Sequence, residues 1–389
     1  MTRLRLLAAF ALPLLAHPLL AQQDERPAAG KPDAAAVRQS VEAWARTFEK
    51  ALREDQPDEV EGFLDVEAIM DATLDGVEVD NASVLKGFRA GMKGSMGTAN
   101  RTLWTQWAAS QPKFKQVLLI DGKPSARFRF CGENGISILD LRLRKDGDTW
   151  RVADVYNHAF GLGMVDQMRS TAALMLKGLD AGVIARLFGA EGVSPKDGSR
   201  VADMTRKMRQ GDYQGAMAVY ARLSKAMQQT QMVTALHVQS LSMIESESDA
   251  YVAALEDAAR RFPAPQFRLT LIDAHFLKER WDAAVGCIDD CMKAVGRDAV
   301  LLTLRALMLL QADRKADAIA DLKEAVSLEP DCEYVLSTGL DVWLAAKDWK
   351  AVANAIRKLE ATGEYDFKGQ LQGEQWAGFA AAEESKPWR

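Results

Sequence analysis

One interval constrains this 389-residue chain more than any other feature in it. Ala216, Ala250, Ala284, Ala318 and Val352 are small or apolar residues, each 34 residues after the last. Four positions on stand Tyr220, Ala254, Ile288, Leu322 and Ile356, and three further Leu223, Cys291, Ala325 and Leu359. Residues three and four apart share one face of a helix, so the same helical stripe recurs at a fixed period. Such a period over residues 197–366 predicts an array whose units bury their apolar faces on one another rather than in one common core. The units also break at one place: Gly211-Asp212, Glu279-Arg280, Asp313-Arg314 and Lys347-Asp348 precede the second helical stretch. Each unit therefore reads as helix, tight turn, helix. The second is degenerate, with Asp257 where its neighbours are apolar.

The stretches "GDYQGAMAVYARL" and "DRKADAIADLKEAVSLEP" carry the small residue, the bulky residue and the closing Pro of a known pattern. They resemble the tetratricopeptide repeat. The resemblance implies an all-α solenoid over 199–366, and "FKGQLQGEQWAGFAAAEES" within 367–389 reads as one more helix, with Leu371, Trp376 and Phe379 covering its open apolar end. In that family the first helix of each unit lines a concave groove for an extended peptide or a partner helix. Carried over, the groove positions are Asp273, Phe276 and Leu277, then Thr303, Leu307 and Leu310, then Ser337, Asp341 and Leu344. Family members that grip a C-terminal carboxylate use Lys, Arg and Asn there, and this sequence departs from that pattern. The groove leucines have a second reading, as packing between neighbouring units. His275 falls where other units have Leu241, Leu309 and Trp343, a core or groove position.

Ahead of the array, residues 32–162 change period partway. Val37, Val41, Trp44, Phe48 and Leu52 form the stripe of an amphipathic helix that Asp33 could cap. A second helix after Pro57-Asp58 turns Val60, Phe63 and Leu64 inward. A short strand-like piece, Val77 to Val79, follows, and a third helix buries Val84, Leu85, Phe88 and Met92. From Phe114 the pattern alternates: "FKQVLLI" and "ARFRF" flank Asp121-Gly122, and "ISILDLRLR" and "TWRVADVY" flank Asp146-Gly147. A two-residue turn there sets Leu143 opposite Trp150, Leu141 opposite Val152 and Leu139 opposite Asp154. Helices followed by hairpins with one apolar face predict an α+β domain, helices on a curved antiparallel sheet. The element order and the closing "WRVADVYNHAFG" are similar to the nuclear transport factor 2-like fold, a cone with an interior pocket. A linker over 163–198, a helix from Met164 to Phe188 and then the loop "GAEGVSPKDGS", leads into the array.

Asp154, Tyr156 and His158 are the candidate pocket residues, because alternation puts them on one side of a strand and the expected register sets Asp154 among apolar partners. The resemblance implies an interior that in some members holds acid/base chemistry on small hydrophobic molecules. A buried carboxylate has a raised pKa and can act as a base. A buried Asp is more often a structural group bonded to backbone or to a hydroxyl, and that is the preferred reading. The remaining catalytic inventory is thin: no Gly-x-Ser-x-Gly, no phosphate-binding Gly loop ending in Lys-Ser/Thr, no His-Glu-x-x-His, and four His in all.

Arg3 and Arg5 precede an apolar run from Leu6 to Ala16, with small Ala21 beyond it, the layout of an export signal over 1–21. That run is shorter than the roughly 20 residues that a membrane span needs. Residues 22–31 form a polar leader. The expectation is an exported protein, periplasmic or secreted, with no membrane span after signal removal. A formal net charge of -5 and no basic stripe argue against nucleic acid as a partner. Cys131, Cys287, Cys291 and Cys332 have no disulfide-like spacing, and the Cys287/Cys291 pair lacks further ligands, so neither a metal nor a cofactor is expected. The first reading is a non-enzymatic scaffold that binds a protein or peptide through the array. Its competitor is a small-molecule receptor or enzyme with its pocket in the α+β domain, and a third is a structural subunit of an envelope complex.

Overall fold

The computed structural model describes residues 34–56, 63–77, 82–120, 122–132, 135–176, 195–262, 267–368, 371 and 373–388. The expected export signal, the leader, Asp33, Val60, Val79 and the linker from 177 to 194 lie outside them. The chain divides into two compact units, Met1–Phe267 and Arg268–Arg389.

The first unit opens with α1 (Ala34–Arg53), α2 (Val66–Leu74) and α3 (Ala82–Ala108). Five antiparallel strands follow in a meander, β1 (Lys113–Ile120), β2 (Lys123–Gly132), β3 (Gly135–Asp146), β4 (Thr149–Asn157) and β5 (Leu162–Gly163), and then α4 (Met164–Leu176). The helix-facing side of the sheet carries Ala126, Phe128 and Phe130 from β2, Leu139, Leu141 and Leu143 from β3, and Val152 and Val155 from β4. Against it pack Val41, Phe48 and Leu52 of α1, the residues that the periodicity selects. Aromatic rings fill the interior: Phe48 lies edge-on to Trp104, Trp107 and Phe128, and Trp107 stacks on Phe130 at 5.2 Å.

Three local expectations change. Phe63 and Leu64 are buried as expected, but in extended chain rather than helix: Leu64 bridges Val152 in parallel. The helix begins only at Val66, where the Asp65 carboxylate accepts the Ala68 N–H at 2.9 Å. In α3, Val84 is exposed, because the first half of that helix touches the domain only along the Leu85, Phe88 and Met92 side. The β3–β4 register also differs. Asp146 pairs with Thr149, so Gly147 and Asp148 form the turn, with Gly147 at φ 58. A turn that opens on a positive φ takes Gly at its first central position, so the turn lies one residue later than expected. Arg142 and Leu143 then face Asp154 and Val152, leaving Ala153 as the extra residue of a bulge.

Still within the first unit come α5 (Pro195–Arg209), α6 (Tyr213–Tyr220), α7 (Lys225–Gln228), α8 (Gln231–Glu245) and α9 (Asp249–Arg261). They join the sheet domain through the chain after β4: Gln231 Nε2 donates to the Phe160 carbonyl at 2.6 Å, and Phe267 N–H to that of Ala159 at 3.1 Å. The second unit holds α10 (Arg268–Leu277), α11 (Trp281–Val295), α12 (Ala299–Gln311), α13 (Lys315–Leu328), α14 (Glu333–Ala346) and α15 (Trp349–Glu360). Each helix there packs on the next and α12 also lies along α14, a pairwise packing consistent with a solenoid.

The expected breaks are real turns. Gly211, Glu279, Asp313 and Lys347 all have positive φ, 75, 52, 59 and 58°, and the residue after each starts the next helix, with Asp212 and Asp348 accepting the Gly215 and Ala351 N–H groups as caps. A left-handed residue closes one helix and turns the chain back at each. Ala216, Ala284, Ala318 and Val352 are fully buried where paired helices approach. The second unit of the array breaks register: its later helix starts after Ser248, so Ala250 is exposed and Val252 is buried instead. The closing segment is a 3-10 turn (Glu374–Trp376), a short helix, α16 (Ala377–Ala381), and a second 3-10 stretch (Glu383–Trp388), not one helix. Leu371, Trp376 and Phe379 are buried as expected, with Phe379 beside Trp349 at 6.2 Å.

Candidate functional site

The bulge at Ala153 decides where the polar residues of the sheet go. It turns Asp154 away from the apolar side, so the expectation that it lies among apolar partners is wrong. Asp154 pairs with Arg142, and Tyr156 with Asp140, on the face opposite the aromatic interior. They share one face, as alternation requires, and His158 joins them from beyond the strand end.

Two linked networks result. Arg127 of β2 holds Asp140 of β3 through two hydrogen bonds, 2.6 and 2.9 Å, with only 7% and 2% of the two side chains exposed. His158 Nε2 lies 2.9 Å from Asp140 Oδ2 and 3.2 Å from Arg127 Nη2, and its ring meets Tyr156 edge-on at 5.1 Å. Burial raises the pKa of the Asp140 carboxyl, but the hydrogen bonds from Arg127 and His158 outweigh burial and bring it to about 2. Asp140 is thus a fixed anion, unsuited to taking up a proton near neutrality. Burial raises the Tyr156 hydroxyl, which stays protonated, with the Arg142 guanidinium 5.2 Å above its ring.

In the second network Asp154 Oδ2 accepts from Arg142 at 2.8 Å, while Oδ1 accepts the N–H groups of Val155 at 2.8 Å and Val165 at 2.9 Å. Val165 belongs to the first turn of α4, whose N–H groups have no partner within the helix. Asp154 therefore ties three elements together and caps a helix from a neighbouring strand. Gly163 lets the backbone pass close to these carboxylates: a Cβ there would crowd an Asp154 oxygen at 3.0 Å and one of Asp166 at 3.2 Å. Burial, followed by the Asp154 charge, raises the Asp166 carboxyl pKa. Arg127, Asp140, Arg142, Gly163 and Asp166 are the residues that sequence reasoning left out of this cluster. Alternation in "ISILDLRLR" already put Asp140 and Arg142 on the Arg127 side.

The candidate groove positions all fall in the second unit. Asp273, Thr303 and Leu307 are buried, and the Thr303 hydroxyl donates to the Ala299 carbonyl at 2.8 Å, which fits packing between units. Phe276, Leu277, Leu310, Ser337 and Leu344 are half-buried, and Asp341 is exposed. Cys287 and Cys291 are free buried thiols, and burial pushes Cys291 up to about 12, away from the thiolate that a metal needs. Among the described residues no group of three or more His, Cys, Asp or Glu could hold a metal ion, and no helix is long and apolar enough to cross a membrane.

No protein-family model matches the chain, and no curated protein does either.

Proposed function

We propose that this is an exported, non-enzymatic binding or scaffold protein whose tetratricopeptide-like array takes a protein or peptide partner. The carrying observation is the recurrence of one left-handed turn residue immediately before the next helix at 279, 313 and 347, with a matching turn at 211. A period kept in backbone conformation as well as in sequence is what stacked helix pairs need, and stacked pairs offer an extended surface to partners. The sheet domain, similar in element order to the nuclear transport factor 2-like fold, then serves as a scaffold. Consumption of both Asp154 oxygens by Arg142 and two backbone N–H groups supports that role over acid/base work.

One observation favours the alternative of a small-molecule pocket in the sheet domain. The Trp107 indole N–H is fully buried in the aromatic interior with no hydrogen-bond partner among the described residues, and such a group is expected to find an acceptor.

The test is site-specific photo-crosslinking in the native host, with the reactive side chain at Leu310 on the array or at Val84 on the sheet domain. Discrete protein adducts from Leu310 and none from Val84 are expected, on a chain whose intact mass fits processing near Ala21. Adducts from neither position, or a chain still beginning at Met1, would overturn the reading.

A further inference from the structure

The first helices of the second unit carry one half-buried apolar residue at the same place in three consecutive repeats, Phe276, Leu310 and Leu344. In α14, Asp341 lies one turn before Leu344 and one turn after Ser337, so the three share a helix face. None of the described ion pairs or hydrogen bonds involves Asp341. That sets it apart from carboxylates on the second helices of the same unit. Asp289 and Asp321 both bind Arg305, Glu324 binds Arg297, and Asp317 binds Arg314. Asp341 is exposed on that face.

We propose that the Phe276, Leu310 and Leu344 ladder docks an amphipathic segment of a partner protein that sets a lysine or arginine against Asp341. The inference rests on the array being the partner-binding surface and goes on to name the partner's chemistry. Apolar side chains of the segment cover the ladder, which supplies contact area without choosing among partners. The choice comes from Asp341: a carboxylate enclosed by a bound segment needs a cation beside it, and an acidic side chain in that place is excluded by like charge. The groove thereby has the opposite polarity to one that grips a C-terminal carboxylate.

Two fluorescein-labelled twelve-residue peptides, one of leucine and lysine in amphipathic helical order and the other with glutamate for lysine, are titrated into the full-length protein by anisotropy. The lysine peptide is expected to bind saturably and the glutamate peptide not at all. Asp341→Asn, an exposed and nearly isosteric change, should weaken the lysine peptide about tenfold, whereas Asp331→Asn, which removes an exposed acid of the loop before α14, should change affinity less than twofold. Leu310→Gln reports on the ladder itself. Binding lost in Leu310→Gln but unaltered in Asp341→Asn would overturn the cation pairing and leave the groove reading standing. Binding by neither peptide, or insensitivity to both groove variants, would overturn both.

Discussion

The sheet of the first unit and the helices of the second place most of their charge differently. On the sheet, Arg127 and Asp140 are buried together and bonded to each other and to His158, and Asp154 is bonded on both oxygens. In the second unit most ion pairs lie on the surface, as Arg297 with Glu324, Arg314 with Asp282 and Asp317, and Lys358 with Asp331; Arg305, which binds buried Asp321 through two hydrogen bonds, is the exception. A buried pair has surrendered its water and costs heavily when one member is removed. An exposed pair keeps its water and is screened by salt. The sheet domain is accordingly intolerant of change at a few points, while the solenoid spreads its cohesion over many small contacts. The exceptions inside the solenoid are the pair of Arg305 and Asp321 and the close approach of paired helices at the fully buried alanines.

Asp140→Ala should have the largest effect, because it leaves the Arg127 guanidinium without its buried counter-ion. The expected loss is about 3 to 5 kcal/mol in chemical unfolding of the full chain. The same network fixes an acid limit. The folded-state pKa of Asp140 is about 2 against an ordinary 3.8, so its contribution is fully present above 3.8 and is lost as pH falls from there toward 2. An unfolding midpoint that changes between pH 7 and 5 as steeply as between pH 4 and 2 would contradict that assignment.

Asp154→Ala comes next, at roughly 1 to 3 kcal/mol, since the N–H groups of Val155 and Val165 lose their shared acceptor. Asp154→Asn keeps one acceptor oxygen for those groups and should cost less. Equal stability of both variants and the parent would remove the structural role.

Ala318→Leu brings the solenoid to comparable sensitivity. Overpacking its fully buried site should cost about 1 to 3 kcal/mol, read as a lower thermal midpoint. The same change at Ala250, which the register break leaves exposed, should be close to neutral. A large loss at Ala250 would mean that the 34-residue spacing holds where the backbone departs from it.

Arg297→Ala sharpens the comparison from the other end. With 53% of its side chain exposed, its bond to Glu324 should contribute under about 1 kcal/mol, and less in high salt. A loss as large as that of Asp140→Ala would erase the distinction between the units.

The sequence alone determined whatever depends on neighbours within about one repeat. Four turns and the buried faces of the paired helices follow from side chains a few residues apart, because a helix has a fixed pitch and closes through local backbone conformation. The same holds for the α1 stripe and the alternation of β2 and β3. Tertiary structure decided the rest. One extra residue in β4, Ala153, moved Asp154 from the apolar side to the charged one, since alternation transmits a single-residue insertion to every residue beyond it. The partners that fix Asp154 and Asp140, namely Arg142, Val165, Arg127 and His158, come from other strands, from α4 and from the turn after β4. No local pattern encodes them, because the hydrogen bonds that choose them form only after the strands have found their register.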